Sequence, residues 1–165
     1  MRFLPHLVLA GLAGVAFAAP VTGQRADDQI QPKSVELQRQ AKALMSAGKL
    51  EQAEDVLETS LAVDPRNRGA FVDLARVAEK QHLYGKAIRM TNKALLLEPN
   101  DPDAIAVQGE AMVEMGAVAR AQANLQKLQT ICGSKPCPQL AQLSAAITRG
   151  PTVASAKAPV TPKSN

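Results

Sequence analysis

Three groups of residues have the types that do chemistry. Cys132 and Cys137 are the only cysteines. Such a pair can form a disulfide, contribute to a zinc site or act as a redox couple. A structural zinc site takes four ligands, and the nearest histidine, His82, lies far upstream. A redox couple normally has the spacing C-x-x-C beside a βαβ pattern, and the chain has neither. His82 falls in a turn between two helical stretches, with no nucleophile beside it. Glu51, Glu54, Asp55 and Glu58 form an acidic run. Metal ligation is one reading of it. Near the start of a helix, however, acids suit the helix dipole and a solvated face. Gly-rich phosphate loops, H-E-x-x-H and the nucleophile elbow are all missing. No catalytic, cofactor-binding or metal-binding residue is assigned, and the chain reads as a non-enzyme.

The fate of the cysteines depends on compartment. Met1 and Arg2 precede an apolar stretch from Leu7 to Val15, and Ala16-Phe17-Ala18 supplies the small-x-small pattern of a signal peptidase site. Residues 1–18 are expected to be a signal peptide cleaved after Ala18, which places the mature chain in the periplasm or outside the cell. A membrane-spanning helix needs about 20 apolar residues. Pro20, Thr22 and Gln24 end this run early, so no integral membrane segment is expected after cleavage. An exported chain with an even cysteine count reads as carrying one disulfide, Cys132–Cys137. Its loop is short, so closure contributes only about 2 kcal/mol.

The elements that position these residues are helical. Aromatics make up 2% of the 165 residues, and Ala, Leu and Val supply most of the apolar content. That composition suits closely packed helices rather than sheets. The net charge of +4 is too small to argue for nucleic acid, and stacking platforms for bases are lacking. Residues 19–33 are polar, with Pro20, Gly23 and Pro32, and read as a flexible lead-in. Residues 150–165, with Pro151, Pro159 and Pro162, read as a disordered tail. Between them the apolar residues keep a helical period. The pattern itself recurs every 34 residues: Ala53, Ala87 and Ala121; Pro65 and Pro99; Leu57, Thr91 and Leu125. Ala41, Ala75 and Gly109 form a further small-residue set, and Gly48, His82 and Gly116 another. A fixed period of this size marks a solenoid.

These residues carry a resemblance to the tetratricopeptide repeat family. Gly48-x-x-x-x-Ala53 with Leu57, Leu61 and Asp64-Pro65-Arg66-Asn67 resembles the second half of one repeat. Tyr84 to Ala87 with Ala94-Leu95 and Leu97-Glu98-Pro99-Asn100 resembles the next, and Phe71, Leu74 and Ala75 resemble the first-helix signature. The resemblance implies an all-α solenoid of three helix–turn–helix repeats, 34–67, 68–101 and 102–135, within a domain spanning 34–149. Helices are predicted at 34–46, 50–63, 68–80, 84–97, 102–114 and 118–131. Small residues let each antiparallel pair approach closely, and the larger apolar ones fill the seam to the next repeat. Terminal repeats need a cap, and 138–149 offers one, with Leu140, Leu143 and Ile147 on one face. Cys132 ends the last repeat helix and Cys137 opens the cap, so a bond there pins the cap down. Reduction is expected to loosen the C-terminal end first, which hydrogen exchange would show as a local loss of protection. Gln40, Thr91 and Gln108 replace larger apolar residues of the family pattern, and looser layers with modest stability are expected there.

In this family the concave face, built from the first helix of each repeat, holds the partner. The resemblance places Val35, Gln38, Arg39, Lys42 and Met45 there in repeat one. Val72, Asp73, Arg76, Glu79 and Lys80 follow in repeat two. Asp103, Ala106, Val107, Glu110, Val113 and Glu114 follow in repeat three. Such a groove is basic at one end and acidic at the other, suiting an extended peptide or a helix of opposite polarity. One use of the family is clamping the C-terminal carboxylates of cytosolic chaperones. The matching positions are Gln38, Lys42, Asp73, Asp103 and Val107, and only Lys42 fits a carboxylate. The expected function is a protein-interaction adaptor of the cell envelope. The alternative is self-association or envelope docking through the basic end (Arg120, Lys127, Lys135, Arg149, Lys157 and Lys163), which carries no acid after Glu114.

Overall fold

A computed structural model describes residues 29–152. The expected signal peptide and nearly all of the expected tail lie outside the described residues. Seven helices follow one another: α1 (Pro32–Ser46), α2 (Leu50–Val63), α3 (Arg68–Lys80), α4 (Tyr84–Leu97), α5 (Pro102–Glu114), α6 (Val118–Cys132) and α7 (Pro138–Arg149). No strand occurs among the described residues. The three hairpins α1–α2, α3–α4 and α5–α6 stack in order, with α1, α3 and α5 side by side and α7 packed on α5 and α6. The architecture is the all-α solenoid expected from the 34-residue period. Two boundaries move: α6 runs one residue further, to Cys132, and α1 starts at Pro32 rather than Ser34, because proline at the first helical turn is pre-set for helix and needs no N–H partner.

The start and stop signals act as their chemistry dictates. Asn67 and Asp101 cap α3 and α5, accepting from the Ala70 and Ala104 amides at 3.1 and 2.7 Å. The hairpin turns pass through left-handed backbone at Gly48, His82 and Gly116, with φ of 72°, 60° and 75°. Glycine takes that conformation freely, whereas a Cβ makes it costly. His82 bears that cost, offset by a 2.9 Å contact from Nδ1 to the Tyr84 hydroxyl. A His82→Gly variant is therefore expected to be more stable by about 0.5–1 kcal/mol, read as a higher urea midpoint at unchanged slope. A lower midpoint would show that the tyrosine contact outweighs the backbone term.

The core follows the small-residue ladder. Ala41, Ala53, Ala75, Ala87 and Ala121 are fully buried where paired helices cross. Leu57, Ile105, Leu128 and Leu143 are the large side chains at the seams. Each stabilises by about 1.5–3 kcal/mol relative to exposure. The polar positions in these layers are bonded rather than loose. Thr91 is buried and its hydroxyl donates to the Ala87 and Ile88 carbonyls at 3.1 and 3.0 Å. Gln108 donates to Asn92 at 2.7 Å and accepts from Asn124 at 3.1 Å. Gln40 faces solvent beside Glu36. Between the first two hairpins, Ser34, Ser60 and Asn67 form a buried cluster, with Asn67 Nδ2 donating to Ser34 Oγ at 2.9 Å. One repeat later the same positions hold Arg68, Ala94 and Asp101, and an Arg68–Asp101 ion pair takes over the link. Each solution joins the first residue of one repeat to the cap of the next.

The C-terminal end matches the expected staple. Cys132 and Cys137 are disulfide-bonded, at the end of α6 and the N-cap of α7. Leu143 and Ala146 are buried, with Leu140 and Ile147 partly so. The acidic run on α2 mostly faces solvent, but Glu54 reaches Lys86 of the next hairpin.

Candidate functional site

The first helices of the repeats wall a groove of about 720 Å³. The α2–α3 and α4–α5 connections form one rim. Val35 on α1 and Leu97 at the end of α4 face it while 49% and 44% exposed. Ile30, just before α1, completes an apolar fringe. Elsewhere on the groove the polar groups meet each other. Gln38 Nε2 donates to Asp73 Oδ2 at 2.7 Å. Lys42 Nζ stands 3.6 Å from the same oxygen. Arg76 divides its guanidinium between Asp73 at 3.3 Å and Asp103 at 2.8 Å. Gln139 of α7 donates to Asp103 at 3.2 Å. A polar ladder thus runs from α1 across α3 and α5 to α7. The floor beneath it is tight: a Cβ on Gly69 would stand 2.6 Å from Gln38 Nε2.

Not every residue expected on the concave face is there. Gln38, Lys42, Asp73, Arg76 and Asp103 line the groove. Arg39 does not. It sits about 100° around the helix from Gln38, is exposed, and pairs with Glu36 of its own helix at 2.7 Å. Lys80, in the last turn of α3, is exposed outside the groove. Ala106, Val107 and Val113 are buried: Val107 packs against α3 and α4, and Ala106 and Val113 against α6 and α7. Met45 packs into the first hairpin core. The acidic end is not open either. Glu114 accepts from the Thr152 amide and hydroxyl, both at 2.8 Å, and lies 3.9 Å from Arg149. The last turn of α7 and the residues just after it therefore cover what the sequence reads as a free acidic stretch. Ile30, Leu97, Gly69, Arg66 and Arg68 line the groove without having been expected to. The three consecutive leucines Leu95-Leu96-Leu97 held the signal for Leu97, since one helix face cannot bury all three.

Beyond the groove, Glu79 on α3 lies among the carboxylates of α5. Burial first, and then the neighbouring Glu110 and Glu114, push its carboxyl up to about 8 against the opposing pull of Arg76. Burial likewise raises Glu110, opposed by Arg76 and Arg149. Among the described residues no group of three or more His, Cys, Asp or Glu side chains is arranged to hold a metal ion, and no helix is long and apolar enough to cross a membrane.

A family model described as tetratricopeptide repeat matches residues 44–111. Within this stretch the chain carries tetratricopeptide repeats. Solved structures of the same fold extend the likeness over all three repeats. The Sgt2 tetratricopeptide domain of Aspergillus fumigatus is 19% identical, with a TM-score of 0.66 over 72% of this chain and 79% of that one. The second such domain of human RPAP3, solved in complex with the HSP70 peptide SGPTIEEVD, is 19% identical, with a TM-score of 0.63 over 70% and 95%. The Yersinia enterocolitica type III secretion chaperone SycD, solved with a peptide of the translocator YopD, is 21% identical, with a TM-score of 0.62 over 74% and 92%. No curated protein matches the tetratricopeptide chain by sequence.

Proposed function

We propose that this chain is a non-catalytic protein-interaction module that holds a peptide segment or helix of a partner in its concave groove. The observation that carries the reading is the groove itself, a concavity of about 720 Å³ walled by α1, α3 and α5, with Val35 and Leu97 presented half-exposed on it. Exposed apolar side chains beside a polar ladder are what an apolar anchor of a partner needs. Structural neighbours that were solved with peptides support the reading. With the expected signal peptide, the place of action is the cell envelope, as an adaptor or assembly factor. Affinity purification from envelopes of the source cell, comparing the parent with a Val35→Asp, Leu97→Asp variant, tests it. A discrete partner lost in the variant supports the reading, and equal recovery with both forms overturns it.

A second reading has one observation behind it. Glu51, Asp55 and Glu58 are exposed at one end of the solenoid, and Arg120 and Lys135 at the other. Head-to-tail self-association would bring these ends together. Its mark is a sedimentation coefficient that rises with concentration at low salt and falls back at high salt.

A further inference from the structure

The groove's cations already have an anion. Asp73 sits at the centre of α3 with its side chain 3% exposed. Its carboxylate receives Gln38 at 2.7 Å and Arg76 at 3.3 Å, with Lys42 at 3.6 Å. Gly69 lets α3 press against Gln38, so that the amide is held toward the acid. Donors from two helices therefore converge on one point beside the groove, as they would on a bound carboxylate. Lys42 remains 57% exposed and so marks the side of this seat that faces a ligand. Asp103 acts on Arg76 in the same sense.

Resting on the groove as the binding surface, we propose that Asp73 determines specificity by filling an anion seat from within, so that the groove takes an internal peptide segment or amphipathic helix bearing apolar anchors and rejects an acidic C-terminus. A ligand carboxylate at Lys42 would be set against Asp73, and like charges brought together in a partly buried site oppose binding. Removing the charge while keeping the shape inverts this. Asparagine at 73 still accepts from Gln38, but Lys42 and one arm of Arg76 lose their anion, and the seat becomes an electropositive site for a carboxylate.

Fluorescence anisotropy with a labelled hexapeptide ending in two acidic residues and a free carboxylate tests the proposal. A second copy of the peptide is amidated at its C-terminus. The parent is expected to bind the acid peptide weakly. Asp73→Asn should bind it at least tenfold more tightly, the gain should shrink with the amide, and Lys42→Ala in the Asp73→Asn background should abolish it. A parent that binds the acid peptide as tightly as the variant overturns the proposal, as does a folded variant that gains nothing. Circular dichroism checks folding, and Asp73→Ala takes the same test should Asp73→Asn not fold. The probe is synthetic, so the gain is measured whether or not a cellular partner is recovered through the groove, and the two readings fail separately.

Discussion

A Leu143→Ala variant is expected to lose about 2–4 kcal/mol of stability, with α7 released first. Leu143 is fully buried against Ile105, Ala106 and Leu128, and it is the largest side chain that α7 puts into the core. Its partner across the seam is an absence. A Cβ built on Gly109 would meet the Leu143 δ-carbons at 2.6 and 2.7 Å and its γ-carbon at 3.2 Å. Glycine in the middle of α5 sacrifices about 1 kcal/mol of helix propensity to admit that leucine. Gly109→Ala alone should therefore be destabilising by about 1–2 kcal/mol, because overpacking outweighs the propensity gain. In the Leu143→Ala background the same change should become neutral or stabilising, since the space is then free. Urea unfolding of the four proteins closes the cycle. Additive effects would show that the two residues do not share this space.

The second large effect depends on pH. Glu79 has an ordinary carboxyl in the unfolded chain, near 4.5, and one near 8 in the fold. Between those values the folded chain holds a proton that the unfolded chain has released. Stability therefore falls as pH rises through that window. The raised Glu110 acts in the same direction. Asp64 acts in the opposite one: Arg66 and the Gln31 amide hold it down at about 2, so its contribution is lost only as pH falls below the ordinary aspartate range. Glu79→Gln keeps the shape and removes the titration. Its advantage over the parent should be near zero at pH 4 and reach about 2 kcal/mol at pH 8, a figure well below the full shift at 1.36 kcal/mol per unit because the site is partly screened by solvent. Thermal unfolding at the two pH values measures it. An advantage of equal size at both would mean that the carboxylate cluster is not the cause.

What was legible in the sequence was what depends on spacing. Every helix is found within two residues of its predicted bounds, because Pro65, Pro99, Gly48 and Gly116 punctuate the chain by local rules. The staple was legible for the same reason, as Cys132 and Cys137 flank a short loop. The site was legible only in part. Gln38, Lys42, Asp73, Arg76 and Asp103 follow from the repeat register. That Asp73 gathers Gln38, Lys42 and Arg76 depends on how closely α1 approaches α3, and no spacing reports it. The capping role of α7 was legible, but its reach over the acidic end of α5 was not. The helix begins 36 residues after α5 rather than 34, out of phase, yet it stacks on α5 as another first helix would and closes over Glu110 and Glu114. The same resemblance placed Arg39 in the groove, whereas its angle on α1 turns it to Glu36.

Whether a partner lies in the groove can be read by site-specific photocrosslinking in the source cell. A photoreactive residue is placed in turn at Val35, Gln38 and Leu97 in the groove, and at Glu51 and Arg120 on the ends of the solenoid. One discrete adduct is expected from all three groove positions and none from the ends. Adducts from Glu51 and Arg120 alone, or of equal yield at all five sites, would contradict it.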